Sequence, residues 1–282
     1  MMYITLKKFG FWQLGNQIAQ YIFLDYLRQL TGRKIVFFKN FPGDKDNLEY
    51  NKIRLSNIYK NIKIEFINYS DEYTFSDHIE KNFYDDEIVD NVIKDDKDVI
   101  NLVGFFQSYK YYEKTEFDFK SRINLFILKE EYQTKINIEY KKIKNKSSNK
   151  LISIHVRRGD YLKYIDYHVL LPLTYYINCI NKIEKKDTNF YYIICSDDIE
   201  WCKRVFFKIS DRCFFSENSD VIDLYLMSLC NENVISNSSF SLISNYLNKE
   251  KKCYAPKIWF GKNRFNFKLD DIYEKDKFIV IS

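Results

Sequence analysis

Two adjacent arginines after an apolar run are the residues of this chain best suited to chemistry. In residues 151–156, apolar residues alternate with smaller or polar ones, which predicts a half-buried β-strand. Arg157 and Arg158 follow that strand directly, and Gly159 and Asp160 come next. A guanidinium group can donate two parallel hydrogen bonds to a phosphate or to a carboxylate. The pattern indicates either an anion-binding site or a strand end with surface arginines, and the run alone leaves both interpretations open.

A second polar cluster follows the strand-like residues 233–235. It contains Asn237, Ser238 and Ser239, and a helical pattern begins there. Hydroxyl groups and the N–H groups of a first helical turn bind anions well. Together with the arginines, this cluster suits a diphosphate better than a single carboxylate.

Two aspartates, Asp197 and Asp198, follow a third predicted strand at residues 189–195. One interpretation is a carboxylate pair that holds a divalent cation on a diphosphate. The other is a helix cap, because aspartates just before a helix accept hydrogen bonds from its first N–H groups. We favour the cap and predict no metal site, since two arginines can neutralise a diphosphate without a metal ion.

The elements that must position these clusters repeat in the order strand, polar loop, helix. Such a repeat predicts an α/β fold with parallel sheets and helices on both faces. Ligands of such folds bind outside the carboxyl ends of the strands, where all of these polar clusters fall. A length of 282 residues predicts two domains. The lysine-rich residues 141–150 show no periodicity and are the predicted linker between them.

The N-terminal residues repeat the same pattern around a glycine loop. A strand at residues 3–7, a loop at 10–17 and a helix at 18–30 are predicted, with Asn16 in the N-cap position. The N–H groups of such a loop and the positive end of the helix dipole attract anions. Glycine is also common in any strand-to-helix turn, so this loop by itself is weak evidence for a site.

Two stretches of the first half allow more than one role. Residues 71–98 are acidic and irregular, which predicts a variable insertion or a lid. The aromatic residues of 104–112 follow a predicted strand at 98–103. They either line a sugar pocket or form the edge of a hydrophobic core.

The composition narrows the class of protein. Hydrophobic residues make up 46% of the chain and aromatic residues 18%, as in globular proteins. A net charge of +5 fits an anionic ligand or an anionic membrane surface and distinguishes neither. We predict no nucleic-acid partner, because no basic groove or nucleic-acid motif is visible. Six cysteines without a CxxC pair and no run of ~20 apolar residues predict a cytoplasmic protein with reduced, buried thiols.

Five sequence motifs extend these observations to a known family. They are FWQLGNQIAQY, GFFQSYKYY, IHVRRGDY, SDDIEWC and SNSSFS, and they span residues 10–241. Their types and order resemble the α-1,2-fucosyltransferases, which transfer fucose from GDP-fucose. Cys195 before SDD, and Leu242 and Ile243 after SNSSFS, depart from the family pattern, which concerns acceptor preference more than reaction type.

The resemblance implies a GT-B-type glycosyltransferase with two Rossmann-like domains facing a cleft. Residues 1–145 would form the acceptor-side domain, and residues 150–282 would bind GDP-fucose. The family is metal-independent, so no cofactor is implied beside the sugar donor.

The resemblance also implies a role for each site residue. Arg157 would hold the β-phosphate with Arg158 in support, and His155 and Asp223 would lie near the guanosine. The remaining contacts to the sugar donor would come from Asn237, Ser238 and Ser239 at the diphosphate and from Gly15 and Asn16 at the fucose or its phosphate.

The implied reaction is a single displacement that converts β-linked fucose into an α-linked product. O2 of a terminal β-galactose would attack the anomeric carbon through an oxocarbenium-like transition state. The catalytic residues would be Arg157, Asn16 and a base, for which Asp160 is preferred over Asp166. Surface-polysaccharide assembly, such as O-antigen, lipopolysaccharide or capsule, is the implied context, with a peripheral contact to the inner membrane left open.

Two alternatives to this function stay open. The first is a fucosyltransferase of another linkage, or an enzyme that uses another GDP-sugar. The second is a catalytically degenerate module that binds a glycan or a nucleotide sugar without turnover.

Overall fold

The structure, a computed structural model, describes residues 2–6, 13–39, 53–113, 123–186, 189–247, 252–261 and 267–282. The chain divides into two compact units. Unit 1 contains Met1–Leu128 and Asn266–Ile272, and unit 2 contains Lys129–Phe265 and Tyr273–Ser282. Each unit is built on parallel β-sheet, as the strand–helix repeat predicts.

Unit 1 has a four-stranded sheet of order β2-β1-β6-β5 and a separate pair, β3-β4, with every pairing parallel. Its central strands β1 and β6 are almost fully buried, which is typical of a parallel sheet covered on both faces. The strands are β1 (Tyr3–Leu6), β2 (Lys34–Ile35), β3 (Phe37–Lys39), β4 (Phe66–Asn68), β5 (Phe75–Ile79) and β6 (Val99–Val103).

The main helix of unit 1, α1, packs an apolar face against this sheet. Leu14, Ile18 and Ile22 recur every fourth residue and are all buried, so they lie on one side of the helix. The helix ends at Gly32, which adopts a φ of 68° and donates its N–H to the carbonyl of Arg28. The helices of unit 1 are α1 (Leu14–Thr31), α2 (Leu55–Ile58), α3 (Ile88–Lys94), α4 (Lys110–Glu113) and, near the C-terminus, α10 (Leu269–Ile272).

Unit 2 has one parallel sheet of six strands in the order β12-β11-β10-β7-β8-β9. The central strand β7 pairs with β8 along its whole length and with β10 on its other side. Its core is formed by apolar side chains of β7 and β8 and of the helices that cover them. The strands are β7 (Lys150–Val156), β8 (Phe190–Ser196), β9 (Cys213–Phe215), β10 (Glu232–Val234), β11 (Cys253–Pro256) and β12 (Phe278–Ile281).

Among the described residues of unit 2, one α-helix precedes the first strand and four more connect the strands that follow. The first of them after β7 begins just past Pro172 and buries Tyr176, Cys179 and Ile183 at helical spacing. Short 3-10 helices also occur at Asp160–Leu162 and Phe207–Arg212. The helices of unit 2 are α5 (Glu130–Lys146), α6 (Leu173–Glu184), α7 (Ile199–Val205), α8 (Asp220–Ser228) and α9 (Ser239–Leu247).

The acidic stretch 71–98 contains regular structure, and the prediction that it is irregular is wrong. It contains the edge strand β5 and the helix α3. The aspartates satisfy local polar groups: Asp98 accepts from the N–H and hydroxyl of Thr74, and Asp95 accepts from Ser76. Because β5 is an edge strand, its pattern lacks the apolar alternation on which the sequence argument depended.

The residues predicted as a linker, 141–150, mostly belong to regular secondary structure. Its first part is the last turns of α5, and its last residue begins β7. Ile136 and Ile143 are buried on one face of α5, which packs against α8, while the lysines occupy the other faces. The units therefore divide at Leu128 and Lys129, before this helix, and Asn266–Ile272 returns to unit 1.

The structure describes all six cysteines, and all six are buried, reduced thiols, as predicted from their surroundings. All six lie in unit 2. Burial raises the pKa of Cys179 and of Cys213 to about 12, so these thiols stay protonated. In the part of the chain that the structure describes, no helix combines the length and apolar character needed to cross a membrane.

The assignment of α5 to unit 2 can be tested with two isoleucines of the same helix. Ile143 is fully buried, whereas Ile138 is 50% exposed. Ile143→Ala should destabilise the protein by about 2–5 kcal/mol, because it leaves a cavity. Ile138→Ala should change stability by less than about 0.5 kcal/mol. Urea unfolding checks both, and equal effects would contradict the packing of α5.

Candidate functional site

The polar clusters of unit 2 meet at the carboxyl edge of its sheet. In the parallel pairing of β7 and β8, His155 lies beside Cys195 and Val156 beside Ser196. The residues that follow, Arg157 on one strand and Asp197 on the other, are therefore neighbours. Strand β10 pairs with the other side of β7 and brings Ser236 to the same edge, next to His155.

Arg157 is held between two carboxylates. Its Nη1 lies 2.8 Å from Oδ2 of Asp197, and its Nη2 lies 2.7 Å from Oδ1 of Asp160. The guanidinium also lies 5.5 Å from the centre of the Tyr161 ring. The Nε atom is buried and makes no hydrogen bond. The Arg157 side chain is 20% exposed and has limited access to solvent. Its Nε–H is therefore a hydrogen-bond donor that remains unused.

Arg158 has a supporting position. Its Nε lies 3.1 Å from Oδ2 of Asp198, and its guanidinium lies 4.0 Å from the centre of the Trp201 ring. A guanidinium over an indole ring gains cation–π attraction as well as packing. Arg158 therefore joins the loop after β7 to the first turn of α7.

Asp197 links both arginines, and a glycine makes its approach possible. Its Oδ2 pairs with Arg157 while its Oδ1 accepts the backbone N–H of Arg158 at 2.8 Å. A Cβ atom on Gly159 would lie 2.6 Å from Oδ2 of Asp197. Any larger residue at position 159 would therefore displace the carboxylate.

Asp198 caps the following helix, as predicted. Its Oδ1 accepts the N–H of Trp201 at 3.2 Å, in the first turn of α7. The same interpretation does not hold for Asp197, which is occupied by the arginines. Across the described residues, no group of three or more histidine, cysteine, aspartate or glutamate side chains is arranged to hold a metal ion.

His155 is a buried, neutral imidazole. It is 4% exposed, and its Nδ1 lies 2.8 Å from the hydroxyl of Ser236. Burial, with a further contribution from the charge of Arg157, lowers the pKa of His155 to about 3. At neutral pH this residue therefore supplies hydrogen bonding and shape, without a positive charge.

Asp223, in the first turn of α8, is a buried carboxyl group. Its Oδ1 accepts the hydroxyl of Ser216 at 2.5 Å, and its side chain also contacts the thiol of Cys195. Burial raises the pKa of Asp223 to about 7. The group can therefore exist in either protonation state near neutral pH.

The cluster after β10 is braced by Asn237. Its Nδ2 donates to the carbonyls of Val169 at 3.0 Å and of Trp259 at 2.9 Å. The main-chain carbonyl of Asn237 accepts a hydrogen bond from the hydroxyl of Tyr161 at 2.8 Å. Ser238 is buried beside it, and Ser239 begins α9. The amide of Asn237 thus ties three loops of the sheet edge together.

Asn16 and Gly15 lie inside helix α1 of unit 1, and the predicted N-cap position of Asn16 is wrong. The helix begins at Leu14 and its N-cap residue is Gln13, because the buried face of α1 extends back over these residues. Asn16 is 8% exposed, and its Oδ1 accepts the side-chain amide of Gln107 at 2.9 Å. Residues 10–12 of the predicted glycine loop lie outside the described residues.

Two aromatic residues after β6 belong to the core of unit 1. Phe106 and Tyr111 are buried, and the Phe106 ring stacks on Phe23 of α1 with ring centres 4.3 Å apart. This confirms the core interpretation for these two residues. Gln107 of the same stretch instead holds Asn16.

Comparison with known proteins decides the family. The model of a family described as glycosyl transferase family 11 matches residues 4–280. This chain belongs to glycosyl transferase family 11. The resemblance that the five motifs indicate is thereby confirmed.

Relatives of this family 11 chain include two proteins of Escherichia coli. One named alpha-1,2-colitosyltransferase is 26% identical over 277 residues, which cover 90% of this chain and 91% of the relative. The O-antigen biosynthesis glycosyltransferase WbnK is 33% identical over 141 residues, 46% of each chain.

The fold of this family 11 chain is also found in solved structures. The fucosyltransferase NodZ from Bradyrhizobium superposes with a TM-score of 0.56 at 14% sequence identity. The match covers 87% of this chain and 92% of NodZ. The predicted α/β, GT-B-type fold is confirmed by this likeness and by the parallel sheets of both units.

Several residues of the candidate site were not predicted from the sequence. Tyr161 orients the Asn237 loop, Trp201 supports Arg158, and Ser216 holds Asp223. For Tyr161 and Trp201 the signal was present in HVRRGDY and SDDIEWC, where an aromatic residue follows the charged residues, whereas Ser216 lies in neither motif. Asp166, the alternative base, is exposed and forms no ion pair with any residue that the structure describes, and its main chain lies against Gly261.

The raised pKa of Asp223 predicts a specific pH dependence of stability. An unfolded aspartate titrates near pH 4, whereas folded Asp223 keeps its proton to about pH 7. Between these values the folded state binds more protons, so the free energy of unfolding falls as pH rises, by at most about 1.4 kcal/mol per pH unit. Asp223→Asn should lose this dependence and gain stability relative to the unmodified protein as pH rises from 4 to 7.

Urea unfolding at several pH values measures this difference. Asp211→Asn is the matched control, because Asp211 is exposed in the same unit. A difference between Asp223→Asn and the unmodified protein that stays constant from pH 4 to 7 would contradict the raised pKa.

Proposed function

We propose that this protein transfers L-fucose from GDP-β-L-fucose to O2 of a terminal β-galactoside, with inversion at the anomeric carbon. The observation that carries the proposal is Arg157, a cation poised at the carboxyl edge of a parallel sheet within a family 11 chain. Family 11 supports a glycosyl transfer reaction, and the α-1,2 linkage follows the name of the relative that matches most of this chain.

Arg157 suits the diphosphate of the sugar donor in charge and in shape. Its guanidinium is presently shared between Asp160 and Asp197, and one of these contacts would be exchanged for a phosphate oxygen when GDP-fucose binds. The unfilled Nε–H offers a further donor. In support of this proposal, NodZ has been co-crystallised with GDP and soaked with GDP-fucose.

The proposed reaction is an in-line displacement. O2 of the acceptor forms a bond to the anomeric carbon as the bond from that carbon to the β-phosphate oxygen breaks. The hydroxyl proton leaves to a base, and GDP leaves with an additional negative charge. Arg157 would stabilise that charge, and preorganised stabilisation of this kind is typically worth about 3–4 kcal/mol per donor. No metal is required in this scheme.

The geometry favours a bracing role for Asp160 over its expected role as the base. In an in-line displacement, the base and the leaving phosphate lie on opposite faces of the sugar. Asp160 lies 2.7 Å from the arginine that would hold the phosphate, which is the leaving-group side. We propose that Asp160 orients Arg157, and Asp166 is then the remaining candidate base of the two.

For the other contacts to the sugar donor, we propose the roles that the family resemblance implies. His155 and Asp223 would lie at the guanosine, where a neutral imidazole and a buried carboxyl group can hydrogen-bond an uncharged base. Arg158, Ser238 and Ser239 would support the diphosphate. Asn16, together with Gly15, would contact the fucose or its phosphate.

A second candidate function differs only in the sugar. The relative that matches 90% of this chain is named a colitosyltransferase, and colitose is L-fucose without its 3-hydroxyl group.

The proposed acceptor is a galactose-terminated oligosaccharide of a bacterial surface polysaccharide, in line with the O-antigen role in the name of WbnK. Contact with an anionic membrane surface during that assembly is part of the same proposal.

The deciding assay supplies GDP-fucose or GDP-colitose with a short β-galactoside in the presence of EDTA. The product mass identifies the sugar, and linkage analysis identifies the acceptor hydroxyl. An α-1,2-fucosylated product is expected. Faster transfer of colitose would select the second candidate, and GDP release without a product would require other acceptors. Neither a product nor GDP release would favour a binding module.

Arg157→Ala should lower kcat/KM of fucosyl transfer by about 100- to 1000-fold, because it removes the charge that stabilises the leaving phosphate. Arg204→Ala is the matched control, since Arg204 is an exposed arginine of the same unit and should leave the rate unchanged. Initial-rate kinetics measure both variants. Full activity of Arg157→Ala would exclude this residue from the reaction.

Asp160→Asn separates bracing from base catalysis. If Asp160 orients Arg157, its substitution should weaken GDP binding and raise KM for GDP-fucose, while the pH profile of kcat keeps its shape. Calorimetric titration with GDP and kinetics from pH 5 to 9 measure these effects. A large loss of kcat with unchanged GDP affinity would restore Asp160 as the base.

A further inference from the structure

Glu80, at the end of β5 in unit 1, holds the loop that follows β6. Its Oε2 accepts the backbone N–H of Phe105 at 2.7 Å and of Phe106 at 3.0 Å, and its Oε1 accepts the hydroxyl of Tyr111 at 2.7 Å. We call this arrangement the Glu80 clasp. Within the described part of the chain, no lysine, arginine or histidine pairs with Glu80, so the clasp consists of hydrogen bonds alone.

The clasp requires an unusual backbone in the loop. A Cβ atom on Gly104 would lie 2.5 Å from the Cβ of Glu80, so only glycine fits there. Phe106 adopts a φ of 51°, which is uncommon for a residue with a bulky side chain. A conformation of this kind persists only when its surroundings impose it. Here they are the Glu80 clasp on one side and the stacked ring of Phe23 on the other.

The constrained loop in turn contacts the first turns of α1. The carbonyl of Gly104 accepts the side-chain amide of Gln20 at 2.6 Å. Three residues further, Gln107 donates its side-chain amide to Oδ1 of Asn16 at 2.9 Å. Two sets of hydrogen bonds, joined by the covalent backbone of the loop, therefore connect the Glu80 carboxylate to the side chain of Asn16.

A buried carboxylate that holds a backbone turn costs free energy, because burial disfavours its charged form. Burial raises the pKa of Glu80 to about 7 despite its three donors, and the charge of Asp85 acts in the same direction. Asp85 itself donates its N–H to the hydroxyl of Tyr111. Among the described residues, the titratable groups that face Glu80 are Tyr111 and Asp85, and neither compensates a negative charge.

We propose that Glu80 is a positioning residue for glycosyl transfer, which fixes the loop so that Gln107 holds the Asn16 side chain in its working orientation. The inference rests on the proposed role of Asn16 toward the fucose or its phosphate. It adds a residue of β5 to the set that determines the rate. Glu80 acts through Asn16 and does not itself contact a substrate.

Glu80→Gln is the direct test. The new NH2 group would face an N–H or a hydroxyl that now donates to Oε1 or Oε2, so the clasp loosens although the side chain keeps its size. A displacement of this kind can lower a rate on the order of 100-fold. We expect kcat of fucosyl transfer to fall by about 10- to 100-fold. Calorimetric titration should give an unchanged affinity for GDP. Glu87→Gln, an exposed glutamate of the same unit, is the control.

A double-mutant cycle with Asn16→Ala shows whether Glu80 acts through Asn16. The losses of kcat in Glu80→Gln and Asn16→Ala should not multiply in the double variant, because both remove the same interaction. Multiplied losses, or an unchanged kcat in Glu80→Gln, would overturn the proposal.

Hydrogen exchange measures the clasp independently of any activity. In Glu80→Gln, the amides of residues 104–108 should exchange faster, while those of β8 keep their rate. Unchanged exchange at 104–108 would overturn the proposal even if transfer is slow. If the unmodified protein transfers no sugar but the exchange rates respond as expected, the proposed function fails and the clasp stands as a structural device. Tyr111→Phe, which removes one donor, is the milder variant if Glu80→Gln fails to fold.

Discussion

One carboxylate, Asp197, determines the geometry of the candidate site in unit 2. It bridges the side chain of Arg157 and the backbone N–H of Arg158, and it does so from the neighbouring strand of the sheet. The contact requires that β7 and β8 end in register and that residue 159 has no side chain. Without it, Arg157 would keep only Asp160 as a charged partner beside the neighbouring guanidinium group of Arg158, and the backbone N–H of Arg158 would lose its acceptor. The anion-binding site proposed at this edge thus depends on an internal carboxylate, which holds the Arg157 side chain and the backbone of Arg158 in place.

The fold was predictable where the chain has strong periodicity and was missed where other forces decide. The central strands and α6 follow apolar patterns that burial dictates. Strand β5 lies at a sheet edge and is stabilised by backbone pairing and by aspartate side chains, so its sequence resembles a loop. The C-terminal strand β12 has no counterpart among the predicted elements, because a four-residue apolar run is too short to distinguish.

Some candidate residues of the site could be named from the sequence, but their partners could not. Residue type and strand-end position singled out Arg157, whereas His155 and Asp223 were named only from the resemblance to the α-1,2-fucosyltransferases. Pairing across strands depends on sheet order, which a single sequence does not contain, and so the contact between Arg157 and Asp197 was not foreseen. The start of α1 was misplaced for a different reason: the buried face continues through two polar residues, Asn16 and Gln17, whose amides bond to loops of unit 1.

The distribution of the cysteines makes the chain its own reporter of unfolding. All six thiols are buried in unit 2, and unit 1 contains none. A thiol-reactive dye added under native conditions would therefore label the protein only when unit 2 opens. The opening of unit 1 alone would expose no thiol and would not change the labelling. Labelling kinetics thus separate the local stability of the two halves of the chain without any engineered probe.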